Sequence, residues 1–354
     1  MSASTRPKRA DLNYPYDFIP EEGELREVAE GVHWLRMPLP FSLNHINLWV
    51  LDDEGEGFTL VDTGLANDTT IDLWQSLFEG PLCLRTLQRI LVTHMHPDHI
   101  GLAGWLNERS GAPLSITRTE YLSCRSLLQY SHEQAPLDAI EFYRGAGFDA
   151  DNLTHYRSQF GGFGRMMRGL PHSFIRLEEN QRISIGRREW QVVVGEGHSP
   201  EHACLFNEAD NLFISGDQLL PTISSNVSVW PSEPQANPLE LWLKSCRRLE
   251  ELLNEQTLVL PSHGKPFTGA PARLRALIDE HESDLLSLKQ FCSVPRRAVD
   301  CFEVLFRAPI NRHNLIMATG ESLAHLNCLL ARGELVCVQE DGINWYHAGG
   351  VVNP

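Results

Sequence analysis

Four metal-ligand side chains, His94, His96, Asp98 and His99, fall within six consecutive positions, directly after the apolar run Ile90-Leu91-Val92. Side chains of an extended chain alternate with period 2, which predicts that His94 and His96 point the same way. Pro97 suits the first turn of a helix, so Asp98 and His99 are expected to project from its start. A strand-to-helix turn of this kind offers two imidazoles to one point and a carboxylate plus an imidazole to a neighbouring one. Imidazole and carboxylate are donors that zinc and iron accept. The chain has 15 histidines, so chance clusters are expected in it. The ordered pattern His-x-His-x-Asp-His behind a strand is far more specific than a cluster, and it predicts a two-metal site.

Three later stretches repeat one arrangement, an apolar strand with a ligand type at its tip. They are Val194-Gly195-Glu196-Gly197-His198, Leu212-Phe213-Ile214-Ser215-Gly216-Asp217 and Leu258-Val259-Leu260-Pro261-Ser262-His263. Each one by itself reads as an ordinary turn; together, and in this order after the first motif, they are specific. No Ser-His-Asp or reactive-cysteine arrangement is apparent.

With these residues the chain resembles a metallo-β-lactamase-fold hydrolase from about Gly31 to Phe291. The resemblance implies a four-layer αββα sandwich of the α/β (α+β) class with two metals at one edge. Carried over by motif, His94, His96 and His198 would bind the first metal. Asp98, His99 and His263 would bind the second, and Asp217 would bridge the two. Asp62, in Val61-Asp62-Thr63-Gly64, matches the family's early Asp-x-Gly, where the carboxylate supports a ligand imidazole; its alternative is a turn-forming aspartate. Zinc is the first expectation for the two divalent ions, with iron or manganese as alternatives. The chemistry implied is hydrolysis by metal-activated water, with Asp98 orienting that water or passing its proton to the leaving group. The bridging Asp217 resembles the thioesterase, lactonase and nuclease branches. An ester-like acyl bond, thioester first and lactone or ester next, is the leading substrate expectation. The alternatives are a phosphodiesterase or nuclease of the same fold and a non-hydrolytic di-iron redox protein.

The substrate itself is expected to be read elsewhere. A segment at about 119–173 exceeds what the compact pattern needs, and inserts beside a site often form lids or walls. From Asn152 to Leu177 it carries Arg157, Arg165, Arg168 and Arg176 with no acid. Arg157 and Arg165 are therefore candidates to receive an anionic substrate end; the alternative is a solvated helical face. Tyr130, His132, Tyr143 and Tyr156 lie in the same insert, where ordinary packing is the expectation for each. After Asp217, the uncharged run from Gln218 to Val227 is expected to form substrate wall, with Asn226 as a candidate contact. This run is similar to that of a bacterial subgroup of uncertain substrate and differs from the short segment typical of hydroxyacylglutathione hydrolases.

Length and patterning supply the elements that position these residues. A chain of 354 residues, 42% hydrophobic and 21% charged, is expected to carry one large domain and a small appendage. The divisions expected are an N-terminal arm over 1–25, loosely held, a main domain over 26–291 and a C-terminal unit over 292–354. Alternating strands and helices predict an α/β layered main domain. In the C-terminal unit, helices at Ala298–Phe306 and Ser322–Ala331 precede a hairpin around Asp341-Gly342, a winged-helix-like order. A formal charge of −16 opposes nucleic-acid binding. Residues 291–354 hold five arginines, no lysine and six acids, so DNA reading by that unit is not expected. A structural role, closing one side of the site or forming a homodimer contact, is expected instead. Eight scattered cysteines without Cys-x-x-Cys predict reduced thiols and a cytoplasmic setting. The absence of a long apolar run predicts no transmembrane helix.

Overall fold

The strands between Val32 and Val61 are largely buried on both faces, and their period-2 alternation divides two apolar cores. The chain runs through β1 (Leu25–Ala29), β2 (Val32–Pro38), β3 (His45–Asp52) and β4 (Gly57–Val61), then β5 (Thr86–Leu91), β6 (Leu114–Thr117) and β7 (Ile175–Leu177). These form a seven-stranded sheet in sequence order, antiparallel from β1 to β4 and parallel from β4 to β7. In β2 and β3 the residues Val32, Trp34, Trp49 and Leu51 face inward. Their neighbours Leu35, Met37, Ile46, Leu48 and Val50 face outward onto helices. Strands covered on both sides are what a layered α/β protein requires.

A five-stranded sheet lies against the inward face. It consists of β8 (Arg182–Ile185), β9 (Arg188–Gly195), β10 (His202–Asn207), β11 (Leu212–Gly216) and β12 (Leu258–Pro261), in the order β12-β11-β10-β9-β8. Trp190, Val192, Ala203, Leu205, Ile214 and Leu260 meet Trp34 and Trp49 between the sheets. Val193, Cys204, Phe206, Phe213 and Val259 face the other way. Helices α1 (Asp68–Glu79), α2 (Pro97–Ile100), α3 (Ala103–Ser110) and α4 (Arg118–Gln129) follow the strands of the first sheet, and Trp74, Leu106 and Tyr121 pack on its outer face. The αββα sandwich is thus the observed architecture.

The insert continues with α5 (Leu137–Gly145), α6 (Ala150–Gln159) and α7 (Gly162–Arg165). Helices α8 (Pro238–Leu252) and α9 (Ala270–Phe291) cover the second sheet, and the chain ends with α10 (Phe302–Leu305), α11 (Leu315–Ala331) and the hairpin β13 (Leu335–Glu340) and β14 (Ile343–Ala348). Leu323, Leu326 and Leu329 of α11 join the same core as Trp242 of α8 and Leu285 of α9. Tyr143 and Tyr156 are core residues of a small cluster that includes Leu315, so the insert packs against the C-terminal helix.

The computed structural model describes residues 12–349. The expectation of a loosely held arm needs correction for its described part. Asn13 bridges Thr268, Tyr16 and Phe18 pack on the core between the sheets, and Tyr16 Oη donates to the Val28 carbonyl. Leu25 already begins a strand. Residues 1–11 of the arm lie outside the described residues. Among the described residues, no helix is long and apolar enough to cross a membrane.

Candidate metal centre

Every residue of the centre stands where a strand ends at the same edge of the sandwich. Asp62 follows β4, the His94–His99 stretch follows β5, His198 follows β9, Asp217 follows β11 and His263 follows β12. Residues 93–95 bend instead of continuing the extended chain, and His96 stands at the N-cap of α2 with Pro97 in the first turn. The bend still brings the two imidazoles together, with His94 Nε2 2.8 Å from His96 Nδ1 and 3.2 Å from His198 Nε2. Three groups of donors each converge within 4.8 Å: His94, His96 and His198; Asp98, His99 and His263; and His94, His99 and Asp217. Asp98 Oδ2 lies 3.6 Å from His99 Nε2 and 3.5 Å from His263 Nε2.

Hydrogen bonds behind the rings fix which nitrogen faces inward. His99 Nδ1–H donates to Asp62 Oδ2 at 2.8 Å, His198 Nδ1–H to the Asn226 carbonyl at 2.7 Å, and His263 Nδ1–H to the His45 carbonyl at 2.7 Å. Each bond leaves the Nε2 lone pair pointing into the centre, as metal-binding histidines require. His94 Nδ1 lies 3.0 Å from Thr93 Oγ1, whose hydroxyl reaches Asp62 Oδ2 at 2.9 Å. Asp62 therefore supports one imidazole of each group, directly for His99 and through Thr93 for His94. It sits at φ +62°, a left-handed conformation that Asp tolerates better than most residues.

The donors suit a cation. His99 Nε2 and Asp217 Oδ1 are buried with no hydrogen-bond partner among the described residues, an arrangement that is costly unless something bridges them. Burial alone would lower the histidines, and it does hold His96 at about 3 and His94 well below its usual range. At His263 burial is outweighed by Asp217 and Asp98, which raise it to about 10. At His99 burial is likewise outweighed, by Asp98, Asp62 and Asp217. Burial would raise Asp98, but His99 and His263 hold it down to about 2. The carboxylates thus draw positive charge to this point.

Several supporting residues are not among those expected from the sequence. Glu120, fully buried on α4, accepts from the backbone N–H of Met95 at 2.9 Å and of Glu201 at 2.8 Å. It ties the two loops that carry His94, His96 and His198. Asn47 Nδ2 donates to the Pro261 and Gly264 carbonyls at 2.9 and 2.8 Å, pinning the His263 turn to the first sheet. His202, with its ring 4.7 Å from that of His94, accepts the Asp217 N–H at 3.0 Å. Gly216 makes that contact possible. It stands at φ +52°, and a Cβ there would meet His202 Cε1 at 2.4 Å.

The substrate candidates fall differently. Asn226 offers its carbonyl to His198, while its side chain is bound to Glu321 and Ser228. Arg165 Nη1 donates to the Ser131 and Phe160 carbonyls, and Arg157 is exposed on α6. Neither arginine makes a hydrogen bond or ion pair with the seven candidate ligands among the described residues. A buried relay, without a signal in the sequence, runs beneath the 218–227 segment. Ser224 Oγ lies 3.1 Å from His281 Nε2, His281 Nδ1 lies 3.3 Å from His325 Nε2, and His325 Nδ1–H donates to the Glu321 carbonyl at 2.9 Å.

The profile of the metallo-beta-lactamase superfamily matches residues 42–263. The chain belongs to this superfamily. Residues 285–349 match the profile of the metallo-beta-lactamase-like C-terminal domain. A "Probable metallo-hydrolase YqjP" of Bacillus subtilis is 25% identical over 334 residues, covering 92% of this chain and 97% of that protein. The crystal structure of a beta-lactamase domain protein from Burkholderia ambifaria superposes with a TM-score of 0.88 at 41% identity, covering 96% of this chain and 98% of that one. A metallo-beta-lactamase family protein from Thermus thermophilus, TTHA1429, shares the fold with a TM-score of 0.77 at 24% identity, over 91% of this chain and 100% of that one. In this superfamily member, then, histidines and aspartates stand positioned for metal binding.

Proposed function

We propose that this protein is a metal-dependent hydrolase with a two-metal centre, acting on an ester-like acyl bond, with thioesters first and lactones or simple esters next. One observation carries the two-metal part, the placement of Asp217. Its Oδ2 lies 3.5 Å from His198 Nε2, and its Oδ1 lies 3.5 Å from His99 Nε2 and 3.3 Å from His263 Nε2. One carboxylate thus turns an oxygen toward each group of imidazoles. Zinc is the ion we favour, and iron or manganese also suit this mixture of nitrogen and oxygen donors. Bound there, two dications lower the proton cost of an attacking water and polarise a carbonyl oxygen.

The chain's own residues supply the rest. Asp98 is the most open of the three acids at the centre, its side chain 21% exposed against 10% for Asp217 and 2% for Asp62. It is the group placed to take a proton from water and return it to the leaving group. Burial holds His94 and His96 neutral, and the Asn226 carbonyl fixes the His198 ring from behind, so these three orient. The acyl preference is supported by charge. The net charge is −16, and Glu280 and Asp284 lie close enough to Glu321, beside the 218–227 segment, to act on it electrostatically. Such a field disfavours a polyphosphate backbone.

A hydrolysis panel on metal-loaded protein tests the reading: acyl-CoA and glutathione thioesters, lactones, a β-lactam and bis-p-nitrophenyl phosphate. Thioester or lactone turnover is the expected result, and activity confined to the phosphodiester overturns it. Asp98→Ala and Asp217→Ala are each expected to lower the observed turnover by at least about a hundredfold, the scale of removing a general acid–base group.

A further inference from the structure

We propose that Glu321, on the C-terminal helix α11, is a positioning residue for the first metal group, acting through Asn226 on His198. The inference rests on the two-metal reading above and concerns this chain's own residues. Asn226 Nδ2 donates to Glu321 Oε2 at 2.8 Å, across 95 positions of sequence. On its other side, Asn226 Oδ1 accepts from Ser228 Oγ at 2.5 Å. With both ends of the amide engaged, the rotamer is fixed, and so is the backbone at 226. The carbonyl of that same residue accepts from His198 Nδ1–H at 2.7 Å. The partner that holds a ligand ring decides its tautomer and aim. For His198 that partner is a loop carbonyl, and the loop is held by α11.

The rest of the interface fits this role. Val229 N–H donates to the Gly320 carbonyl at 3.0 Å, and Ser228 Oγ also lies 3.3 Å from the Met317 carbonyl. A Cβ at Gly320 would meet Ser228 Cβ and Oγ at 2.8 Å and the Val229 carbonyl at 3.1 Å. The strap 226–229 therefore lies directly on one turn of the helix. Glu321 is held at both its polar ends, its carboxylate by Asn226 and its carbonyl by His325. Burial, reinforced by Asp284 and Glu280, raises its carboxyl to about 7 against the pull of the Asn226 hydrogen bond. Either protonation state keeps an oxygen lone pair for Asn226 Nδ2, so the acceptor geometry matters here and the charge does not. A glutamine offers the same acceptor.

The test is metal binding itself. Zinc affinities of wild type, Glu321→Ala, Glu321→Gln and Asn226→Ala are measured by chelator competition that resolves the two ions, with visible spectra of the cobalt-loaded proteins alongside. Glu321→Ala and Asn226→Ala are expected to weaken one of the two ions by about 10–100-fold, the usual consequence of removing a group behind a ligand. The cobalt spectrum of that ion alone is expected to change. Glu321→Gln is expected to stay within about threefold of wild type, which a purely structural loss would not reproduce. Two unperturbed ions in both alanine variants overturn the inference and leave the two-metal reading intact. Equal weakening of both ions in Glu321→Ala and Glu321→Gln also overturns it. A wild type that binds no second ion overturns the reading and the inference together.

Discussion

Replacing Asp62 with asparagine separates the charge and acceptor pattern of this residue from its shape. The side chain is 2% exposed. Its Oδ1 accepts the Thr93 N–H at 2.8 Å, and its Oδ2 accepts His99 Nδ1–H at 2.8 Å. Asparagine is isosteric and tolerates the φ of +62° found here, so the backbone strain that alanine would add is absent. A carboxamide has one acceptor oxygen and one donor nitrogen. The Thr93 donor is backbone and cannot change, so the oxygen is expected to stay with it and the amide nitrogen to face His99. His99 must then accept at Nδ1 and carry its proton on Nε2, the atom that faces Asp98, Asp217 and the centre. The Thr93 hydroxyl loses its acceptor at the Oδ2 position but keeps the remaining oxygen, Oδ1, 3.1 Å away, so its link to His94 survives. A selective loss of about 10–100-fold in affinity for the ion of the Asp98–His99–His263 group follows, about 1.4–2.8 kcal/mol. Chelator competition measures the affinities, and nitrogen NMR of ring-labelled histidine reads which His99 nitrogen carries the proton in the zinc-loaded protein. An Asp62→Asn protein that binds both ions about as tightly as wild type, with the His99 proton still on Nδ1, refutes this reasoning.

The buried relay from Ser224 through His281 to His325 makes a pH prediction. Burial, then neighbouring His325, lowers His281 to about 3, and burial lowers His325 to about 4. The unfolded chain takes protons near pH 6.5 that the folded rings refuse, so stability rises with pH between about 4 and 6.5. Acidifying from pH 7 to 5 should cost about 2 kcal/mol per ring. Urea unfolding at the two pH values checks this; a His281→Phe, His325→Leu protein with the wild-type pH slope refutes it. Glu120→Ala leaves the N–H groups of Met95 and Glu201 without their acceptor. A loss of about 1–3 kcal/mol for each group left buried and unsatisfied is expected, together with reduced metal content, and wild-type values of both count against the role given to Glu120.

What the sequence made legible was local. The His94–His99 stretch is one strand-turn-helix unit, and its ligand types, its proline and the apolar run before it are neighbours in the chain. His198, Asp217 and His263 are readable for a similar reason, since each ends an apolar run that must become a buried strand. The strands without a sequence signal have no such pattern. Leu25–Ala29 is an edge strand whose central positions are exposed, and Ile175–Leu177 has three residues, too few to show a period. The supporting residues are hidden for another reason. Glu120 reaches a partner 81 positions away, Asn47 one 214 away and Asn226 one 95 away, and one sequence carries no record of such pairings. His202 does carry a usable signal, as a further histidine four positions after His198 at the mouth of a buried strand.

Gly320 shows how a misplaced boundary and a missed function share one cause. The helix expected at Ser322–Ala331 begins at Leu315. Gly320 lies just before the expected start, and glycine inside a helix costs about 1 kcal/mol relative to alanine. In isolation that preference would decide the boundary. Here the contacts outweigh it. The missing side chain lets Ser228 and Val229 lie on the helix backbone, and the turn so exposed brings Glu321 against Asn226. Any larger residue at 320 would lift the strap from the helix and with it the carbonyl that holds His198. A glycine that helix propensity alone disfavours is therefore the residue that lets the C-terminal unit reach the candidate metal centre.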